Sequence, residues 1–434
     1  MTSAGSVAGR VATWVGQIEL SDTLGVVPVD GDLKANHAQA RIWVRLHGIP
    51  LGFLEIDIAN GFINSGAVTE LALSKYLDKV EEHLATDDFQ LEDGIDIPLE
   101  IQRQIYCDSQ SAPQIPISVI VATKNRPNLI GDTLGTLANL DYPTMEVLLI
   151  DGSLDETTRR VFEEVVGSDE RFRFVSEPAP GLSRARNVGM ELAKYDIVAF
   201  TDDDCRCDPL WLRGIAKGFS RDSNVSCVTG IVPSSQLNNA AQHYFDGRVW
   251  WAATVEAKIH RPYRQSGDSP LHPFRMGTYG TGANFALDKD IAIGLGGFSE
   301  LLGAGSPCKG GAEDGDMYVR VLRAGRSIAF EPSAIVWHRG RETQEKLDSQ
   351  MFEYGRGISV TALKWLSDPE LRLEVVRRMP IAIYYWLSLL WTRGYSGEKD
   401  RAGFAIAEFK GMLTGPAAFL RGRAAVGLHP ERKA

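Results

Sequence analysis

The sequence is short of cysteine, of long apolar runs and of positive charge, and each shortage closes off a class of protein. Five cysteines among 434 residues (Cys107, Cys205, Cys207, Cys227 and Cys308) are an odd number without the paired spacing of a disulfide framework or a zinc site. They point to reduced thiols in a cytoplasmic chain. The longest uncharged apolar stretch, residues 379–392, has 14 residues, too few to span a bilayer. The N-terminus lacks an apolar core of signal-peptide type. A formal net charge of −10 argues against general nucleic-acid binding, which needs a basic footprint. Internal repeats and low-complexity segments are missing too. What is present, 44% hydrophobic and 24% charged residues, is ordinary for a globular protein of two or three domains.

Charge and pattern divide the chain into three. Residues 1–110 carry 7 basic against 17 acidic side chains, whereas residues 356–434 carry 13 against 7. An acidic front and a basic tail suggest separate segments with separate partners. Residues 1–112 read as a small α+β unit, with strand-like runs at 11–20 and 40–58 and an amphipathic helix at 68–84. A linker follows at 109–116, marked by Pro113 and Pro116. Residues 113–345 alternate short apolar strands (117–122, 147–150, 172–175, 197–200) with helical patterns (128–140, 156–166, 182–194). That alternation implies right-handed crossovers and a mostly parallel α/β sheet flanked by helices. Residues 346–434 read as a helical C-terminal region.

The most informative feature is the run Asp202, Asp203, Asp204, directly after the strand at 197–200. Three carboxylates at one strand end repel one another, and such a cluster persists where a cation neutralises it. Mg²⁺ and Mn²⁺ are the hard cations that take carboxylates together with phosphate oxygens. The bland alternative is a solvated acidic loop ahead of the next helix. Thr123, Asp151, Ser176 and Asp202 all follow strands, so one rim is expected to collect them, where open α/β sheets bind ligands.

In order along the chain, the motifs resemble those of family 2 glycosyltransferases. Ser118-Val119-Ile120-Val121-Ala122-Thr123-Lys124-Asn125-Arg126-Pro127 is similar to their opening strand and turn. Glu146 to Asp151 is similar to their second strand, although Asp151-Gly152-Ser153 is one residue shorter than the usual pattern. Gly181 to Gly189, with Arg184 and Arg186, resembles the helix start before the metal motif Phe200-Thr201-Asp202-Asp203-Asp204. Thr281-Gly282-Ala283-Asn284 and Leu295-Gly296-Gly297-Phe298 resemble the acceptor-side segment, Glu313-Asp314 the motif of the base, and Val336-Trp337-His338 the late histidine segment. The resemblance covers roughly residues 115–345. The N-terminal extension is similar to those on actinobacterial members.

The resemblance implies a GT-A fold and a metal-dependent, inverting transfer from a nucleoside-diphosphate sugar to an acceptor hydroxyl, in glycan or glycolipid assembly such as bacterial cell-surface polysaccharide. Asp314, with Glu313, is expected as the base. Thr123, Arg126, Asp151, Arg184, Arg186, Asp202 and Asp203 are expected around the nucleotide. Asp202, Asp204 and His338 are expected around the cation. Helix-dipole stabilisation is the competing reading of Glu313 and Asp314, and a buried, hydrogen-bonded imidazole that of His338. A nucleotidyltransferase would share the sheet and the acids but would usually carry a basic, glycine-rich loop where Thr123 to Pro127 stand. A non-catalytic nucleotide-sugar-binding module would tolerate loss of the base. In the tail, Arg377, Arg378 and Arg393 flank an aromatic, apolar segment. It suits an interfacial helix at 377–393 on the inner face of an anionic membrane, and equally a core helix.

Overall fold

A computed structural model describes residues 12–86, 113–394 and 399–427. Cys107 and the first half of the expected linker lie outside them. The N-terminal segment forms a four-stranded sheet from β1 (Thr13–Glu19), β2 (Val26–Pro28), β3 (Gln39–Leu46) and β4 (Ile49–Asp57), in the order β2-β1-β3-β4. The run at 40–58 is thus a hairpin, turned at His47 and Gly48, which both have positive φ. Helix α1 (Ser65–Thr86) covers one face through Val68, Ala72, Val80 and Leu84.

The second sheet begins with four parallel strands, β5 (Ile117–Thr123), β6 (Met145–Asp151), β7 (Phe172–Ser176) and β8 (Ile197–Asp202). The helices α2 (Pro127–Ala138), α3 (Thr157–Val166) and α4 (Leu182–Leu192) lie between them in sequence. Strand β6 is buried at every position, as expected of a strand covered on both faces. The register pairs Thr123 with Asp151, Ala122 with Asp202 and Asp151 with Ser176, so the four strand ends share one edge.

The other half of the sheet is not among the strands expected from the sequence, although β-branched runs stand at 225–231 and 327–338. After β9 (Cys205–Cys207) and α5 (Trp211–Ser220) come β10 (Val225–Ile231), α6 (Ala240–Arg248), β11 (Lys258–His260), β12 (Asn284–Asp288), α7 (Lys289–Gly294), α8 (Glu313–Arg323) and β13 (Ser327–His338). The strand order is β11-β13-β10-β12-β8-β5-β6-β7. Strand β12 is antiparallel to both neighbours and pairs Asn284 with Thr201, which sets the segment 281–284 beside the acidic triplet. Strand β13 ends against β9, with His338 opposite Cys205. The N-terminal sheet packs on this half: Trp43 lies 5.9 Å from Trp337, ring to ring, and Arg45 forms a buried ion pair with Asp208, just beyond β9.

Three helices close the chain: α9 (Gln344–Ser367), α10 (Pro369–Gly394) and α11 (Lys399–Gly427). Helices α9 and α11 touch backbone to backbone. A Cβ on Gly355 would stand 1.8 Å from the Glu408 carbonyl oxygen, and one on Gly411 2.0 Å from that of Phe352. A methyl group cannot enter there without prising the helices apart. Gly355→Ala and Gly411→Ala are each expected to destabilise by about 1–3 kcal/mol or more, the usual cost of overpacking. An unchanged urea midpoint in both variants would show that the contact yields freely.

Candidate active site

The carboxyl edges of β5, β6 and β8 open into a cleft of about 520 Å³, within the usual range for a small-ligand site. Its floor carries Thr123, Asp202, Asp203, Asp204 and His338. One wall is Ala304 and Gly305 with Gly311 to Asp314, where α8 begins, and α9 supplies Gln350, Glu353 and Tyr354 to another.

The three aspartates face different partners. Asp202 Oδ1 accepts from Arg186 Nη2 at 3.2 Å. Asp203 accepts from Thr123 Oγ1 and from Arg126 Nη1, both at 2.7 Å. Asp204 stands 3.5 Å from His338 Nε2, 3.5 Å from Arg341 Nη1 and 3.4 Å from Arg126 Nη1. The turn itself is clamped by Thr133, whose hydroxyl donates to the carbonyls of Asp203 and Cys205. Burial, with repulsion from Asp204 and Asp203, pushes the Asp202 carboxyl up to about 6 against the pull of Arg186. Burial would also raise Asp204, but His338, Arg341 and Arg126 hold it well below the usual carboxylate range.

Across the cleft, α8 starts at Glu313 after Ala312, which adopts a left-handed φ of 76°. Glu313 Oε1 accepts from Arg186 Nη1 at 2.9 Å. Asp314 Oδ1 accepts from its neighbour Gly315 N–H. Desolvation raises both carboxyls, against the pull of Arg186. Gly282 lets these groups close in, since a Cβ there would sit 3.2 Å from Asp314 Oδ2 and 3.3 Å from Arg186 Nη2.

The sequence-derived candidates do not all converge. Thr123, Arg126, Arg186, Asp202, Asp203, Asp204, Glu313, Asp314 and His338 line the cleft. Asp151 lies buried behind it, its Oδ1 taken by the N–H and hydroxyl of Ser153. Arg184, half-exposed, pairs with Glu177 and Glu300. Arg186 reaches the cleft, but its guanidinium is spent on Glu313, Asp202 and the Gly282 carbonyl. Asp316, also in the first turn of α8, is fully buried and bound by Lys364, Trp365 and Arg320. Arg320 and Lys364 overcome its desolvation and hold it at about 2. Sequence reasoning missed Arg341, Thr133 and the three α9 side chains, none of which carries a local motif.

The donor set fits a hard divalent cation. Asp204 and His338 stand 3.5 Å apart, and the nearby Asp202 carboxyl, pushed up by burial and its acidic neighbours, gains from positive charge.

Residues 118–289 match the model of the family described as Glycosyl transferase family 2. The stretch from β5 to the start of α7 is thus similar to that family's domain. The probable glycosyltransferase YdaM of Bacillus subtilis is 24% identical over 286 residues, 64% of either chain. The hyaluronan synthase of Pasteurella multocida is 29% identical over 137 residues, 29% of this chain and 14% of that one. Among solved structures, a mannosyltransferase from Pyrobaculum calidifontis, in complex with GDP-Man and Mn²⁺, aligns over 73% of this chain and 88% of its own. It shares 18% identity at a TM-score of 0.43.

Proposed function

We propose that the cleft transfers a glycosyl group from a nucleoside-diphosphate sugar to an acceptor hydroxyl, with inversion and with help from Mg²⁺ or Mn²⁺. One observation carries this reading. The Asp202–Asp204 triplet with His338 and the Asp314 carboxyl lie in the same cleft on different elements, so leaving group and base have separate places. Asp202, Asp204 and His338 would hold the cation, which supplies charge stabilisation for the departing diphosphate. Arg126 and Arg341, 41% and 31% exposed, are free to turn from the aspartates to phosphate oxygens. Asp314 takes the acceptor proton, and its raised affinity for a proton suits that task. Attack from its side, opposite the leaving group, inverts the anomeric carbon. Screening UDP-, GDP- and TDP-sugars for Mn²⁺-dependent hydrolysis and transfer tests the reading. No turnover of any donor with any cation would overturn it.

Donor binding is expected to need the cation. Calorimetry should show nucleotide affinity collapsing in EDTA and in Asp204→Ala. Affinity for the cation should also fall as pH drops through about 6, because a protonated Asp202 offers no charge. Equal affinity with and without EDTA would remove the cation from the account.

The acceptor we propose is a glycan or a lipid-linked sugar met at an anionic membrane surface by α10. No helix among the described residues is long and apolar enough to cross a membrane. Yet α10 exposes Leu373, Val376, Ile383, Tyr384 and Leu387, with Tyr384 73% exposed. Leu371 and Val375 of the same helix pack against Val319 and Trp365, so α10 has a core face as well; the side chains of Trp386, Trp391 and Arg393 lie outside the described ones. Arg372 and Arg377 are exposed beside the apolar residues, and each cation near an anionic surface contributes about 1 kcal/mol. The protein is expected to sediment with anionic vesicles at low salt and to leave them at high salt. Retention in the supernatant with anionic and neutral vesicles at both salts would make the acceptor a soluble one.

A further inference from the structure

A thiol stands directly beneath the acidic floor. Cys205 is fully buried and faces His338 across the antiparallel β9–β13 ladder. Directly opposed residues on such a ladder project to the same side of the sheet. Ligand atoms of Asp204, Cys205 and His338 accordingly lie within 4.8 Å of one another, with the Asp204 carboxylate 3.5 Å from His338 Nε2. An oxygen, a sulfur and a nitrogen from two strands form a donor set that differs in kind from a carboxylate pair. Thiolate and imidazole suit Zn²⁺, whereas carboxylate and water suit Mg²⁺ and Mn²⁺. Bond lengths of about 2.3 Å to sulfur and 2.0–2.1 Å to nitrogen or oxygen require the three atoms to draw in by roughly 1 Å. Side-chain rotation covers that distance.

We propose that Asp204, Cys205 and His338 form a Zn²⁺ site that overlaps the hard-cation site and shuts it. The inference rests on the reading of Asp202, Asp204 and His338 as the place of the working cation, because two of those three ligands are shared. Zn²⁺ enters from the cleft, which Asp204 and His338 line, while Cys205 does not. It displaces Arg126 and Arg341 from Asp204 and expels the thiol proton to solvent as the sulfur binds. Three protein ligands leave a fourth position, as in open zinc sites. The ion would then sit toward β9 and β13, drawn off the Asp202 side of the cleft. Asp202 remains paired with Arg186. Micromolar Zn²⁺ is therefore expected to displace Mn²⁺ and to inhibit transfer, with Cys205 setting the sensitivity.

The test uses full-length, metal-free protein titrated with Co²⁺, Zn²⁺ and Mn²⁺, with Cys205→Ser and Cys205→Ala beside the native chain. Co²⁺ reports sulfur ligation directly through a thiolate-to-metal charge-transfer absorption. The native protein should show that absorption and both variants should lose it. Zn²⁺ affinity by calorimetry should fall at least about 10-fold in the variants, the lower range for disturbing a ligand sphere. Mn²⁺ affinity and thermal melting should stay at native values, which also shows that the variants fold. Co²⁺ binding without the absorption, or with an absorption that survives both substitutions, would overturn the proposal. So would a loss of Mn²⁺ affinity in a variant that melts normally, because Cys205 would then serve the hard cation as well. Mn²⁺ binding without a Cys205-dependent band leaves the function reading standing and removes the zinc site. A Cys205-dependent band without Mn²⁺ binding keeps the three zinc ligands but removes the function reading and, with it, the proposed overlap.

Discussion

Asp314→Asn is expected to leave a folded protein that binds donor but turns over about 10²–10⁴-fold more slowly, the usual loss on removing a general base. That loss corresponds to roughly 3–5 kcal/mol of transition-state stabilisation, at about 1.36 kcal/mol per decade. Folding should survive because the amide oxygen can still accept the Gly315 N–H. Donor binding should survive because the cation ligands lie on other elements. The substitution also removes a titrating base, so the acid limb of the pH–rate profile should vanish with the rate. Asp316 offers no replacement, since Lys364, Arg320 and Trp365 occupy it in the interior. Asp316→Asn should accordingly lower the unfolding midpoint, an effect absent from Asp314→Asn. If Asp314→Asn keeps more than half of the native rate, the base is elsewhere.

The sequence made the β5–α4 half of the domain legible, and the reasons are local. Strands such as 147–150 are continuously apolar, their helices are amphipathic, and the turns between them are short. Register then follows, and with it the shared edge of Thr123, Asp151 and Asp202. The return half was harder to read because irregular segments replace the regular strand–helix alternation and β12 runs antiparallel to both neighbours. Cys205 and His338 are opposed through 132 intervening residues, and neither flank announces the other. The same blindness hid Arg45, whose partner Asp208 lies in the catalytic unit, and Arg339, which pairs with Asp30 and Asp132. Two of those pairs tie the N-terminal segment to Asp208, just after β9, and to Arg339, just after β13, a link that composition could not suggest. The site was legible as a set of residue types, less so as a set of contacts. A basic residue at a helix start, such as Arg186, reads as a phosphate ligand from its position. Its actual partners are set by what folds over it, which for Arg186 is a segment about 100 residues downstream.

Arg186→Met is expected to be among the most destabilising single changes in the catalytic unit, and its cost should depend on pH. The guanidinium, 2% exposed, rests over Phe200, Phe285 and Phe298 at 5.3–5.8 Å from their ring centres. Above it are Glu313, Asp202 and the Gly282 carbonyl, on three separate elements. Methionine keeps the packing volume on the rings but leaves two recessed carboxylates without their cation. Removing one partner of a buried ion pair typically costs about 3–5 kcal/mol, because the other charge is left uncompensated. The carboxyls can escape that cost by taking a proton. Asp202 already sits near 6 and Glu313 is raised even with the arginine in place, so both go higher without it. A carboxyl whose folded-state pKa is raised above its unfolded value gives up stability as pH climbs through that interval. The deficit of the variant should therefore be full at pH 8 and shrink at pH 5, where both groups are neutral. Mn²⁺ should restore part of it at pH 8 by neutralising Asp202, while Arg186→Lys should keep part of it through its charge. Urea unfolding of the three proteins at pH 5 and 8, with and without Mn²⁺, gives all of these comparisons. A deficit that is the same at both pH values would mean that Arg186 acts through its contacts with the phenylalanine rings and not through its charge.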